Sequence, residues 1–176
     1  AGGAPPDNFF IKGQNWGFPP LHPERSRAEG HAYWRMVVSR LTETARALRI
    51  DHIMGLHRLY WIPRGMAADE GAYVRYPHDE IYAILAIESN RHACQVCGEN
   101  LGTVPPAVPE AMERHGIVGM YVMQFSVRAE GERAIDTPPA GTIASINTHD
   151  TPTFAGWWAG RDIDIQLETG LITEAQ

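Results

Sequence analysis

Ala47-Leu48-Arg49-Ile50-Asp51-His52 is a short apolar run that ends on a carboxylate, and the same figure returns in Cys97-Gly98-Glu99-Asn100-Leu101-Gly102 and in Asn147-Thr148-His149-Asp150. A strand that delivers an acid, repeated along a chain, is how a β/α barrel gathers reactive groups, because they come from the ends of several different strands. Asp51 and Glu99 are 48 residues apart, and Glu99 and Asp150 are 51. The first interval suits one βα unit with a long connection. The second suits two compact units, since Gly119-Met120-Tyr121-Val122-Met123-Gln124-Phe125 reads as a strand between them.

The flanking segments predict an alternation of helices and strands. Trp34, Val37, Val38, Leu41, Ala45 and Leu48 recur at helical spacing, which predicts an amphipathic helix over 30–47. A second helix is predicted over 79–92, with Ile81, Ile84, Leu85 and Ile87 on one side, followed by a strand over 93–98. Pro105-Pro106 opens a third helix that Gly116 terminates. A strand over 142–147 and a helix over 151–158 complete the pattern, with a weakly helical end. The apolar stretch 56–62 breaks at Pro63-Arg64-Gly65. Residues 1–24 are rich in Pro and Gly and read as a long irregular segment, whose Phe9, Phe10, Trp16 and Phe18 argue against disorder. The order predicts an α/β protein with a parallel sheet and outer helices. Four strands are half of an eight-stranded barrel, so the chain reads as an excerpt of a longer one.

Composition is that of an ordinary globular protein, 44% apolar and 20% charged. The net charge of −6 argues against nucleic acid or an anionic membrane as partner. No apolar run approaches the length of about 18–20 residues that a membrane span needs. The two cysteines form Cys94-x-x-Cys97 in a strand-like run, where positions three apart face opposite sides. With no second pair to complete a zinc site, they read as two plain buried or half-buried thiols. Five tryptophans are generous for this length. Most serve cores, though indole also stacks on sugar rings.

The three acids sit where sites are built in parallel α/β folds, at the C-terminal ends of strands. Two carboxylates held close are the minimum equipment for glycosidic-bond chemistry. Arg49 shares a strand face with Asp51, and a cation there favours the ionised carboxylate that a nucleophile requires. Gly98 before Glu99 leaves room for a ligand to approach. His149 beside Asp150 supplies a donor for a sugar hydroxyl. His52, His57 and His149 could instead bind metal, but no His-x-His or His-Glu-x-x-His spacing occurs, and neither a Gly-x-Ser-x-Gly elbow nor a phosphate loop is present.

Six motifs then carry a specific resemblance: Gly3-Ala4-Pro5-Pro6-Asp7, Gly13-Gln14-Asn15-Trp16-Gly17, Arg49-Ile50-Asp51-His52, Tyr60-Trp61-Ile62-Pro63, Gly98-Glu99-Asn100-Leu101-Gly102-Thr103-Val104-Pro105 and Thr148-His149-Asp150-Thr151. In this order they resemble the 4-α-glucanotransferases (amylomaltases, disproportionating enzymes) of glycoside hydrolase family 77 in the α-amylase superfamily. The resemblance implies part of a (β/α)8 TIM barrel, about strands four to seven with their helices. Residues 1–176 would be the central portion of one catalytic barrel, with 1–30 a substrate-covering loop region. It implies Asp51 as nucleophile, Glu99 as general acid/base and Asp150 as the third acid. Arg49 would orient Asp51, His149 would bind the sugar at the cleaved bond, and Gln14, Asn15, Trp16 and His52 would contact substrate. Maltooligosaccharides or α-1,4-glucans are the implied substrates, with no cofactor and a cytoplasmic location. A hydrolase or branching enzyme of the superfamily, or a non-catalytic glucan-binding fragment, are the competing readings. Asn100 stands where the family often has Asp, Phe18, Pro20 and Leu21 depart from the usual loop, and Ile53-Met54 replaces a common aromatic-basic pair. Isolated from the rest of a barrel, residues 1–176 are expected to be inactive and poorly soluble, since edge strands and apolar surface would be uncovered.

Overall fold

In chain order the elements are β1 (Gly2–Ala4), β2 (Gln14–Asn15), α1 (Pro23–Ala28), α2 (Ala32–Thr44), β3 (Ala47–Ile50), β4 (Arg58–Trp61), β5 (Ala72–Arg75), α3 (His78–His92), β6 (Gln95–Gly98), α4 (Ala107–Arg114), β7 (Gly119–Val122), β8 (Thr142–Ser145), α5 (Phe154–Trp158) and α6 (Arg161–Glu168). They come from a computed structural model that describes residues 1–7, 10–128, 134–170 and 172–173. Phe9, one of the aromatics of the N-terminal segment, lies outside the described residues.

The expected parallel pairing is present. β3 and β6 run parallel, with Ala47 opposite Gln95, Arg49 opposite Cys97 and Ile50 opposite Gly98. A further parallel bridge joins Cys97 to Val118, just before β7. The protein is therefore α/β, and two acid-bearing strands are neighbours. The chain divides into two compact units, Ala1–Gly119 and Met120–Gln176.

The core of the first unit collects Val38 from α2, Ile81, Tyr82 and Leu85 from α3, Val96 from β6, Val108, Ala111 and Met112 from α4, and Ile53, Met54 and Leu56 from a 3-10 turn after β3. Each helix departs from the expected stripe at one position. Leu41 is exposed, and Thr42 is buried in its place, its hydroxyl donating to the Val38 carbonyl at 2.8 Å. The inner row of α2 is Trp34, Val38 and Thr42. On α3, Ile87 faces outward and Glu88 is buried, ion-paired with Arg91 at 2.7 Å. The Thr42 hydroxyl is satisfied by its own helix, whereas Glu88 has Oε1 on Arg91 and Oε2 without a hydrogen bond, with His92 Nε2 3.5 Å away. Hydrophobicity alone therefore misplaced Leu41 and Ile87, while Trp34, Val38, Ile81, Ile84 and Leu85 pack toward the core as expected.

The N-terminal segment is not irregular throughout. β1 is the centre of an antiparallel sheet ordered β2-β1-β4-β5, with Gly3 opposite both Asn15 and Tyr60. A Cβ at Gly3 would collide with the Gln14 carbonyl and with Ile62, so glycine lets three backbones close up there. The apolar stretch after residue 56 supplies β4, whose hairpin with β5 aligns Tyr60 with Tyr73 and sets the Arg58 guanidinium 4.2 Å from the Tyr73 ring.

In the second unit β7 stops at Val122, and Met123–Phe125 form a 3-10 turn instead of the expected strand end. β7 pairs with β8, which ends at Ser145 rather than at residue 147. Thr153 caps α5 by accepting from the Gly156 N–H. Among the described residues no helix is long and apolar enough to cross a membrane.

Candidate active site

The β3–β6 ladder continues past its last paired residues. The Glu99 N–H donates to the Ile50 carbonyl at 2.8 Å, and the Ile53 N–H donates to the Glu99 carbonyl at 3.0 Å. Asp51 and Glu99 therefore leave adjacent parallel strands at the same edge. Neighbouring strands lie about 4.8 Å apart, so two side chains leaving one edge start within reach of each other.

Each carboxylate has its own partners. Arg49 Nη1 is 2.6 Å from Asp51 Oδ1, with Asp51 exposed and Arg49 largely covered. Glu99 is held by backbone: its Oε2 accepts from the His52 N–H at 2.8 Å and its Oε1 from the Leu101 N–H at 2.7 Å. The His52 contact needs an unusual backbone, since His52 is left-handed with φ 48° and ψ 59°. Burial pushes the His52 imidazole below its ordinary pKa range, against the opposing pull of the Glu99 and Asp51 charges. At neutral pH the ring is a neutral hydrogen-bonding and stacking surface.

The N-terminal segment reaches this edge. The Trp16 ring meets the His52 ring edge-on at 5.1 Å and stacks with Phe18 at 6.0 Å. Trp16 is itself fixed, its Nε1–H donating to Gln14 Oε1 at 3.2 Å and its N–H to the Gly2 carbonyl at 3.0 Å. Asn15 turns its side chain back to accept from the Gly17 N–H at 3.0 Å. A cleft of about 510 Å³ opens beside this segment, lined by Asn15, Gly17, Phe18 and Ile62 among others. Of the expected site residues, Arg49, Asp51, His52, Glu99, Gln14, Asn15 and Trp16 thus belong to the first unit. Leu101 was not foreseen, because a backbone donor leaves no signature in a side-chain pattern.

Gly98 does not serve a ligand. A Cβ there would lie 2.9 Å from Ile53 Cγ1 and 2.9 Å from Met112 Cε, so the missing side chain is filled by core. Asn100 turns inward, its amide within 3.0–3.1 Å of where a Gly119 Cβ would stand.

Asp150 and His149 belong to the second unit and are exposed, with His149 Nε2 3.3 Å from Asp150 Oδ2. They ride on a turn in which the Thr148 N–H donates to Thr151 Oγ1 at 2.9 Å and the Asp150 N–H to Thr148 Oγ1 at 3.2 Å. Cys94 and Cys97 are free and buried, and burial raises both thiols above their ordinary range, which leaves them unreactive. Among the described residues no group of three or more His, Cys, Asp or Glu side chains is placed to hold a metal ion.

A family model described as 4-alpha-glucanotransferase matches residues 1–174. The chain belongs to the 4-alpha-glucanotransferase family. A 4-alpha-glucanotransferase of Haemophilus influenzae is 42% identical over 170 residues, which cover 97% of this chain and 24% of that protein. One from Mycobacterium tuberculosis is 38% identical over 182 residues, again 97% of this chain and 24% of the relative. The crystal structure of amylomaltase from Corynebacterium glutamicum superposes with a TM-score of 0.87 at 32% identity, over 98% of this chain and 25% of that one. The chain spans about a quarter of the length of these family members.

Proposed function

We propose that this chain is part of a 4-α-glucanotransferase that moves α-1,4-glucan segments by a retaining double displacement. The reading is carried by one arrangement: Asp51 with its Arg49 partner and Glu99 with its two amide donors, on adjacent parallel strand ends. Retaining chemistry needs carboxyl groups about 5–5.5 Å apart, which neighbouring strand ends suit. Glu99 gives its proton to the glycosidic oxygen while Asp51 attacks the anomeric carbon. The carbon–oxygen bond breaks, the leaving sugar departs with the proton, and a glucosyl ester forms on Asp51. Glu99 then takes the proton of an acceptor's 4-hydroxyl, whose oxygen displaces the carboxylate.

In this reading the chain runs from the approach to strand four through strand seven of a (β/α)8 barrel. Asp150 follows strand seven as the third acid, binding sugar hydroxyls, and His149 contacts the sugar at the cleaved bond. Residues 1–30 cover the substrate, with Gln14, Asn15, Trp16 and His52 toward the sugar. Trp16 and Phe18 favour transfer by excluding water from the acceptor position. A cytoplasmic location follows from the family resemblance.

The test uses the full-length protein with maltotriose. Transfer yields both longer and shorter oligomers, whereas products that are only shorter indicate a hydrolase and overturn the reading. Asp51→Asn is expected to abolish covalent trapping, and Glu99→Gln to slow turnover about 10²–10⁴-fold.

A further inference from the structure

We propose that His52 is a positioning residue for Glu99 and that the Trp16 ring holds it in that role. The inference rests on the glucanotransferase reading and assigns His52 a task beyond contact with sugar.

Successive amides of an extended chain point to opposite sides. Here the N–H groups of His52 and Ile53 both address residue 99, one its carboxylate at 2.8 Å and the other its carbonyl at 3.0 Å. The left-handed conformation of His52 brings them together, so Glu99 is aimed by a turn and not by a side chain. For a non-glycine residue that conformation is costly and persists only where the surroundings impose it.

The surroundings are visible on both sides of the ring. Trp16 meets it edge-on at 5.1 Å, and Cδ2 lies 3.4 Å from where a Gly55 Cβ would stand. The imidazole is kept neutral by burial, as a packing element should be. Trp16 is anchored to the β1 edge through the Gly2 carbonyl and to β2 through Gln14. A continuous path runs from the antiparallel sheet through Trp16 and His52 to the Glu99 carboxylate. Loosening either ring frees the turn, and the acid loses its aim while Asp51 keeps Arg49.

This separates two donors. A maltooligosaccharide leaving group must receive a proton from Glu99, whereas fluoride leaves α-maltosyl fluoride with little need of one. In the full-length enzyme, single-turnover glycosylation is measured with both donors for His52→Gly, Trp16→Ala and the double variant. Glycine can still reach the left-handed region without strain, but with no ring nothing holds it there, so His52→Gly frees the turn without adding a steric penalty. Each single variant is expected to lose about 10–100-fold on maltotriose relative to the fluoride, as misplacement of a catalytic group does. The double variant should fall no further than the worse single, because both act through one path. Equal losses on the two donors, unchanged rates on both, or additive losses in the double variant overturn the positioning role. If His52→Gly fails to fold, the Trp16→Ala donor ratio decides by itself. A wild-type enzyme that consumes neither donor overturns the glucanotransferase reading and this role with it.

Discussion

Arg49 and Asp51 are paired across a single residue, guanidinium to carboxylate at 2.6 Å, at the end of a strand whose neighbour ends in Glu99. Asp51 is exposed, so the pair contributes little to stability, about 1 kcal/mol at most. Its effect lies in holding the carboxylate in one orientation. Arg49→Leu in the full-length enzyme is expected to lower kcat about 10–100-fold, with the melting temperature nearly unchanged. A variant that melts early yet retains kcat would show that the pair serves folding instead.

Gly98→Ala tests the packing beneath Glu99. The new methyl would meet Ile53 and Met112 at 2.9 Å, and overpacking of this kind costs about 1–3 kcal/mol. Because Ile53 also bonds the Glu99 carbonyl, activity should fall together with stability. Denaturant unfolding and kcat measured on one preparation check both, and an unchanged midpoint would refute the packing argument.

His57 stacks on His78 at 4.2 Å and its Nε2 lies 3.2 Å from the buried Tyr82 hydroxyl. Burial first, then the neighbouring His78 charge, pushes its pKa down to about 4 from 6.5. The folded value is the lower one. The stability tied to neutral His57 is therefore present above pH 6.5 and is lost as the pH falls from there through about 4. Histidine NMR should find this imidazole unprotonated at pH 5.5, and His57→Gln should flatten the stability curve over that window.

His31 is a buried tie between helices. Its Nε2 lies 2.8 Å from the Glu80 carboxylate of α3 and its Nδ1 2.9 Å from the Ser26 hydroxyl of α1. Removing it deletes both bonds and the packing of a buried ring, while Glu80 keeps its ion pair with Arg27 at 2.7 Å. His31→Ala should lower the unfolding midpoint without altering the donor selectivity of the enzyme. A changed maltotriose-to-fluoride ratio would connect this tie to the site after all.

The placements that were legible in advance are those of charged side chains at strand ends. Asp51, Glu99 and Arg49 fall where an apolar run stops, and the parallel pairing of β3 with β6 followed from the intervening helix. Asp150 was read in the same way, from the apolar run of β8. The antiparallel sheet was not legible, since β1 is Gly-Gly-Ala and β2 only two residues long. Such strands have no alternation to detect and exist through backbone closeness. Leu41 and Ile87 were misplaced because Thr42 and Glu88 are buried beside them with local partners, which a scale of hydrophobicity ignores. The role of Gly98 was misjudged for a related reason. A missing side chain shows that something comes close, without showing whether it is ligand or core.

The parallel ladder also orders events in time. His52 and Glu99 are bonded across 47 residues of chain, and closing a loop of that length costs about 3 kcal/mol of entropy before any contact rewards it. On a ribosome, Asp51 emerges before Glu99 does, beside a turn that has nothing yet to hold. Neither a nascent chain nor a locally helical, unzipped one carries two acids in register. In the proposed mechanism the two acids therefore come into register only through long-range pairing, rather than element by element.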